Sequence, residues 1–289
     1  NHLLSKRPDQ FSLGVWPSFF KKAKGAFIWD LDGNKYLDMS IGGIGATILG
    51  YADSDIDDEV KCVIDNGIAS SLNAIEEVEL SEMLCGLHPW AQKSKFTRSG
   101  GEAMSVAIRI ARAATQKDII IFCGYHGWHD WYLSANILNE SNLDGHLLPG
   151  LSASGVPRCL QNTAIPFEYN NIESLVAVVN ANRDNIAAIV MEPIRNISPE
   201  DDFLQNVKNI ATQESVPLIF DEISSGFRMN SGGAHKIFDV NPDIAVFAKS
   251  LGNGYPIGAI IGTNKYMEAV NNSFISSTCW TERTGPAAA

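Results

Sequence analysis

The feature that most constrains this chain is a set of short, almost unbroken apolar runs beyond residue 95. They fall at 119–122, 186–191, 218–220, 244–248 and 257–261. A strand with one face in water alternates apolar and polar residues; a run without alternation must be covered on both faces. Helical stretches at 171–182 and 201–214 separate some of these runs. Such alternation predicts an α/β domain with a mostly parallel central sheet flanked by helices. Upstream, Ser99-Gly100-Gly101-Glu102 opens a further helix, whose apolar residues Ala103, Ala107, Ile110 and Ala114 recur at spacings of 4, 3 and 4. Residues 54–67 and 75–87 also read as helices.

The N-terminal segment, residues 1–50, is of another kind. Residues 26–39 read as a β-hairpin, with Phe27, Trp29 and Leu31 alternating, Asp32-Gly33-Asn34 as the turn and Tyr36-Leu37 on the return strand. Gly42-Gly43-Ile44-Gly45 follows as loop. Residues 51–289 form the expected large domain. The chain starts at Asn1 and stops in what reads as the first turn of a helix, so the expectation is a piece of a longer protein.

Charge and cysteines narrow the function. The net charge is −11 with both signs mixed throughout, which disfavours nucleic acid or an anionic membrane as main partner. Five scattered cysteines without a C-x-x-C pair argue against disulfides or zinc and suit a reducing cytoplasm. No apolar run reaches the roughly 18–20 residues of a membrane span. Gly42-x-x-Gly45 lacks the G-x-G-x-x-G context of a dinucleotide-binding turn.

Ligands of open α/β sheets gather at the carboxyl ends of strands, so residues just after the apolar runs draw attention. Lys249 follows 244–248 and precedes Ser-Leu-Gly-Asn-Gly254, whose glycines leave room for a flat ring. Desolvation there would lower its pKa and free the amine for a Schiff base. A lone lysine leaving a strand is ordinarily only a surface group. Asp221, with Glu222, ends the preceding strand, where an acid can keep a ring nitrogen protonated or merely cap a helix. Two such groups ending successive strands shift the balance toward a site. Gly100 and Gly101 at a helix start can cradle a phosphate, although serine–glycine is also an ordinary cap. Tyr125, in Gly124-Tyr125-His126-Gly127, is placed to stack on a ring or to pack in the core. Glu192 ends the run 186–191 and either contacts substrate or accepts a structural hydrogen bond. His126, His129 and Asp130 lack a further ligand cluster nearby, so no metal site is expected.

Taken together, Leu218-Ile-Phe-Asp221-Glu222-Ile223, Gly226-Phe227-Arg228, Pro242-Asp243-Ile244 and Ala248-Lys249-Ser-Leu-Gly-Asn-Gly254 resemble the signature of class III aminotransferases. These are fold type I enzymes dependent on pyridoxal 5′-phosphate (PLP). Ser99-Gly100-Gly101-Glu102-Ala103 resembles their phosphate loop, Tyr125-His126-Gly127 their ring-stacking segment; Met191-Glu192-Pro193 and Ser277-Thr278 also match. Within the class, Trp29 to Asp38, Leu148-Pro149-Gly150 and Gly155-Val156-Pro157 are most similar to glutamate-1-semialdehyde 2,1-aminomutase and its relatives.

The resemblance implies PLP-dependent amino-group transfer, by an aminotransferase or an aminomutase, between a small-molecule amino donor and a carbonyl acceptor. Lys249 would carry the cofactor and move the substrate proton. Asp221 would bind the pyridine nitrogen, Tyr125 and Ile223 the two ring faces, and Gly100 and Gly101 the phosphate. His126 and Glu192 would lie against substrate or behind these groups. It also implies a cytoplasmic homodimer with shared sites, in which Thr278 reaches the partner's phosphate. Three departures stand out. Gly101 replaces the family's usual threonine. Segment 128–150 is longer and more aromatic than in a plain aminomutase, which points to a different or bulkier substrate. The family's small C-terminal domain is absent from this chain. The alternative reading is an inactive family member serving as a binding or scaffold subunit.

Overall fold

The five apolar runs do become adjacent strands, and two further strands complete their sheet. In the computed structural model, which describes residues 6–12 and 15–289, strands β4 (Lys93–Thr97), β5 (Ile119–Cys123), β6 (Ala164–Pro166), β7 (Ile186–Met191), β8 (Leu218–Asp221), β9 (Ile244–Phe247) and β10 (Gly258–Gly262) form one sheet. Their order is β4-β10-β9-β8-β7-β5-β6, and β10 runs antiparallel to both its neighbours while the β9-to-β6 pairs are parallel. Strands β7 to β10 are buried at every position. Each fully buried isoleucine or phenylalanine contributes about 1.5–3 kcal/mol.

Side chains alternate between two covered faces. Ile120, Phe122, Ile219, Val246 and Ile260 pack under the long helix α3 (Gly100–Thr115), whose Ala103, Ala107 and Ile110 are wholly buried. On the opposite face Ile121, Ile189, Leu218 and Phe220 meet α4 (Ile172–Asn182) and α5 (Phe203–Gln213). Ala245, Phe247 and Ile261 meet α2 (Ile75–Leu87) on that same face. Helix α1 (Ser54–Asp65) is capped by the Asp53 carboxylate, which accepts from the Asp55 and Ile56 amides.

The N-terminal hairpin exists, with one more strand than expected: β1 (Phe20–Lys24) pairs with β2 (Phe27–Asp30), which pairs with β3 (Lys35–Leu37), all antiparallel. Asp30 staples the turn, accepting from Asn34 N at 2.8 Å, Asn34 Nδ2 at 2.9 Å and the Tyr36 hydroxyl at 2.9 Å. The face carrying Phe27 and Leu31 is not the buried one: both are exposed, and Lys35 Nζ lies 3.8 Å from the Phe27 ring centre. Gly42–Gly45, expected as plain loop, closes a left-handed turn in which Gly43 and Ile44 both have φ near +60°. Glycine adopts that geometry at little cost.

The consequence for function is positional. Strands β5, β7, β8 and β9 end at one edge of the sheet, and β4, continued into the start of α3, ends there too.

Candidate active site

Lys249 leaves β9 and Asp221 ends β8; the two strands are in register, with Asp221 paired to Val246. Both side chains face one cavity of about 310 Å³, also lined by Gly100, Gly101, Tyr125 and Ile223. This is the size of a small-ligand site. The turn at Lys249 is strained: its φ is +45°, unusual for a side chain with a Cβ. Lys249 Nζ donates to Ser224 Oγ at 2.9 Å. Burial lowers the Lys249 pKa from its ordinary value, against the opposing pull of the Asp221 charge.

Asp221 is buried to 3% exposure. Its Oδ1 accepts the Ile223 N–H at 3.0 Å, and its Oδ2 stands 2.8 Å from Nδ1 of the buried His126. The other His126 nitrogen faces the Cys123 carbonyl at 3.2 Å, and Trp131 stacks on the ring at 5.9 Å. His126 thus orients the carboxylate from behind. Trp131 and Tyr132, part of the aromatic richness of segment 128–150, turn into the core; Trp128 alone of these three is exposed.

At the other end of the cavity, α3 begins at Gly100 with Ser99 as its cap; Ser99 Oγ accepts the Glu102 N–H at 3.4 Å, and Glu102 reaches back to the Arg98 amide at 3.0 Å. The amides at a helix start have no partner in the helix ladder and favour an anion. A Cβ on Gly100 would stand 2.9 Å from the Ile223 side chain, so glycine is what lets Ile223 close over this end. Tyr125 is half-buried on the cavity wall, its amide donating to Glu192 Oε2 at 2.9 Å. Glu192 does not line this cavity. It is buried behind it and pairs with Arg195, whose Nε donates at 2.7 Å. Thr278 is exposed and also stands outside the cavity of its own chain.

Glu222, the second half of the Asp-Glu pair, points into the core. It accepts from Ala234 N at 3.0 Å, from His235 N and Nδ1 at 2.8 Å each, and from the Ser225 hydroxyl. Burial alone would raise its pKa, but these hydrogen bonds hold it below the usual carboxylate range. Sequence reasoning passed over Ser224 and Arg195, and took Arg228 only as part of the family signature; its guanidinium joins Ser224 O, Gly45 O and Ser250 Oγ. Of the two missed residues only Arg195 had a local signal, its i+3 spacing from Glu192.

An amine, a buried carboxylate, two flanking apolar or aromatic walls and a helix start form a donor set that fits PLP, whose aldehyde, ring nitrogen and phosphate call for these groups. Comparison with known proteins agrees. The family model for class III aminotransferases matches residues 12–282. A 3-aminobutyryl-CoA aminotransferase of Cloacimonas acidaminovorans is 36% identical over 98% of this chain and 66% of its own length. A glutamate-1-semialdehyde 2,1-aminomutase of Francisella philomiragia is 37% identical over 89% of this chain and 59% of its own. Among solved structures, an omega-transaminase from Sphaerobacter thermophilus superposes with a TM-score of 0.85 at 28% identity, covering 98% of this chain and 67% of that one. This chain therefore spans 59–66% of the length of these curated relatives. It belongs to the class III aminotransferase family.

Proposed function

We propose that the full-length protein transfers an amino group from a small-molecule donor to a carbonyl acceptor, or within one molecule as an aminomutase, with PLP bound at Lys249. The observation that carries this reading is the convergence of Lys249 and Asp221, from the ends of adjacent strands, on one small cavity closed by a helix start. An intact pair of this kind speaks against a decayed scaffold subunit. When bound, PLP supplies an aldehyde to join an amine and a protonated ring that draws electrons from the substrate carbon.

The chain's own residues set the conditions for that chemistry. Asp221, fixed by the Ile223 amide and His126, would hold a proton on the ring nitrogen. Desolvation at Lys249 favours its neutral amine, which is the form able to accept and return a proton at Nζ. Ser224 Oγ would steady that nitrogen. Tyr125 and Ile223 would sandwich the ring, and Gly100 and Gly101 would present amides to the phosphate.

We further assign the protein to the cytoplasm as a homodimer in which Thr278 reaches the phosphate in the partner subunit. Its exposure in the single chain supports that placement. A second cavity of about 600 Å³ is bounded by His146, Asn142, Glu168, Glu192 and Arg195, and Glu192 links it to the first through the Tyr125 amide. Lys249→Ala in the full-length protein is expected to abolish both PLP absorbance and turnover in a panel of acceptors, from glutamate-1-semialdehyde to keto-sugars and keto acids. An unchanged near-visible spectrum in that variant would overturn the assignment.

A further inference from the structure

Among the described residues that line the cofactor cavity, Ala46 alone comes from the N-terminal segment. It follows a left-handed turn in which φ is +46° at Gly42, +56° at Gly43, +61° at Ile44 and +78° at Gly45. Ile44 is β-branched and unfavourable in that geometry, which persists only where neighbouring groups fix it. Those groups come from the far end of the chain, around Lys249.

Asn253 supplies the first hold. Its side-chain amide pairs with the strap 42–50 as a peptide would: Oδ1 accepts the Leu49 N–H at 2.9 Å and Nδ2 donates to the Gly50 carbonyl at 3.1 Å. The residue is 9% exposed and closes the 3₁₀ turn Lys249–Gly252 with φ at +44°. Asparagine is among the few residues with a side chain at ease in that conformation. Next to it, a Cβ on Gly254 would stand 3.1 Å from Thr47 Cγ2, so turn and strap touch there as well. Arg228, an exposed side chain, supplies the second hold. Its guanidinium joins Gly45 O to Ser250 Oγ, one residue past Lys249, and to the carbonyl of Ser224. Ser224 is also the residue whose hydroxyl accepts from Lys249 Nζ.

We propose that Asn253 and Arg228 are positioning residues: they clamp the strap 42–50 onto the Lys249 turn, and the clamped strap, through Ala46, closes one wall of the cofactor cavity. The inference rests on the cofactor reading above for what the cavity holds. It goes beyond that reading by assigning access to the cavity to a segment some 200 residues away from Lys249 in sequence, joined to it by side-chain to backbone bonds.

The test uses the full-length protein and two readouts. Asn253→Gly removes the amide yet keeps a residue suited to the left-handed backbone, so the turn can still form. Hydrogen exchange in peptides covering 42–50 is expected to quicken about tenfold, the scale of two lost neutral hydrogen bonds, while peptides from β7 and β9 keep their rates. Asn253→Asp, which still accepts from Leu49 but cannot donate to Gly50, should fall between. Arg228→Ala should quicken exchange in the same segment. The second readout is capture of the PLP aldehyde by hydroxylamine or by the bulkier O-benzylhydroxylamine, either of which frees the Lys249 amine and bleaches the near-visible band. In Asn253→Gly the rate with the bulky reagent should rise severalfold relative to the small one. Strap exchange that stays at the wild-type rate in both variants, or rises no more than in the strands, overturns the clamp. An unchanged ratio between the two reagents overturns the strap as a wall of the cavity. Failure of Lys249→Ala to remove the absorbance would instead overturn the cofactor reading, and the exchange measurement, which needs no cofactor, still decides the clamp.

Discussion

His146 shows how a residue outside the cofactor cavity can still govern it. Its Nδ1 accepts the Gly124 N–H at 3.0 Å, one residue before Tyr125, and its ring lies against Phe122. An accepting Nδ1 requires the neutral ring. Burial, helped by the charge of His126, pushes its pKa down from 6.5 to about 4. The sign follows by linkage. Above pH 6.5 the ring is neutral folded or unfolded; as pH falls the unfolded chain takes up the proton first, so stability is lost progressively from about 6.5 down to about 4. His146→Asn keeps an acceptor for the Gly124 amide but cannot titrate. Denaturation midpoints of the full-length protein across this window are expected to fall less steeply in the variant than in wild type. Parallel slopes would remove His146 from the account.

Between elements, strand pleat decides which of two neighbouring carboxylates serves the cavity. Successive side chains at the end of β8 point to opposite faces. Asp221 meets the cavity, while Glu222 ties the strand end to the turn at 234–236. Removing one partner of a buried, hydrogen-bonded pair costs about 3–5 kcal/mol. Glu222→Ala is therefore expected to lower unfolding free energy by about that much in chemical denaturation, with Asp221→Ala costing less. The same distinction marks what the sequence could reveal. Unbroken apolar runs exposed β5, β7, β8, β9 and β10, and with them the strand ends that carry Tyr125, Asp221 and Lys249. Strand β4 escaped because Lys93-Ser-Lys95 is polar, and β6 because three residues ending in proline make no pattern. Contacts such as Lys249–Ser224 and Gly101–His129 join residues 25 and 28 positions apart through folds of the backbone that no local spacing encodes. The buried face of the hairpin was likewise unreadable, since alternation says that one face differs without saying what covers it.

At the scale of the whole molecule, the site described so far is supplied by a single chain, whereas the proposed dimer makes each site depend on two. Thr278 lies at the head of a short 3₁₀ turn, exposed, with the apolar Phe274 89% exposed just before it. A large apolar side chain left this open beside a proposed shared residue is what a second copy would cover. The dependence is testable by complementation. In a Lys249→Ala dimer every site lacks its amine; in a Thr278→Glu dimer every site receives a carboxylate facing the phosphate. Mixed dimers contain one site that combines an intact Lys249 with an intact Thr278 from the other subunit. After subunits exchange in a one-to-one mixture, random pairing gives such a site in half of the dimers, so about a quarter of wild-type sites are expected to bind PLP and turn over. Each variant alone should show almost none. If the mixture gives no more than the sum of its parts while native mass spectrometry of differently tagged subunits shows that exchange has occurred, Thr278 does not cross between subunits. The sites would then be complete within each chain.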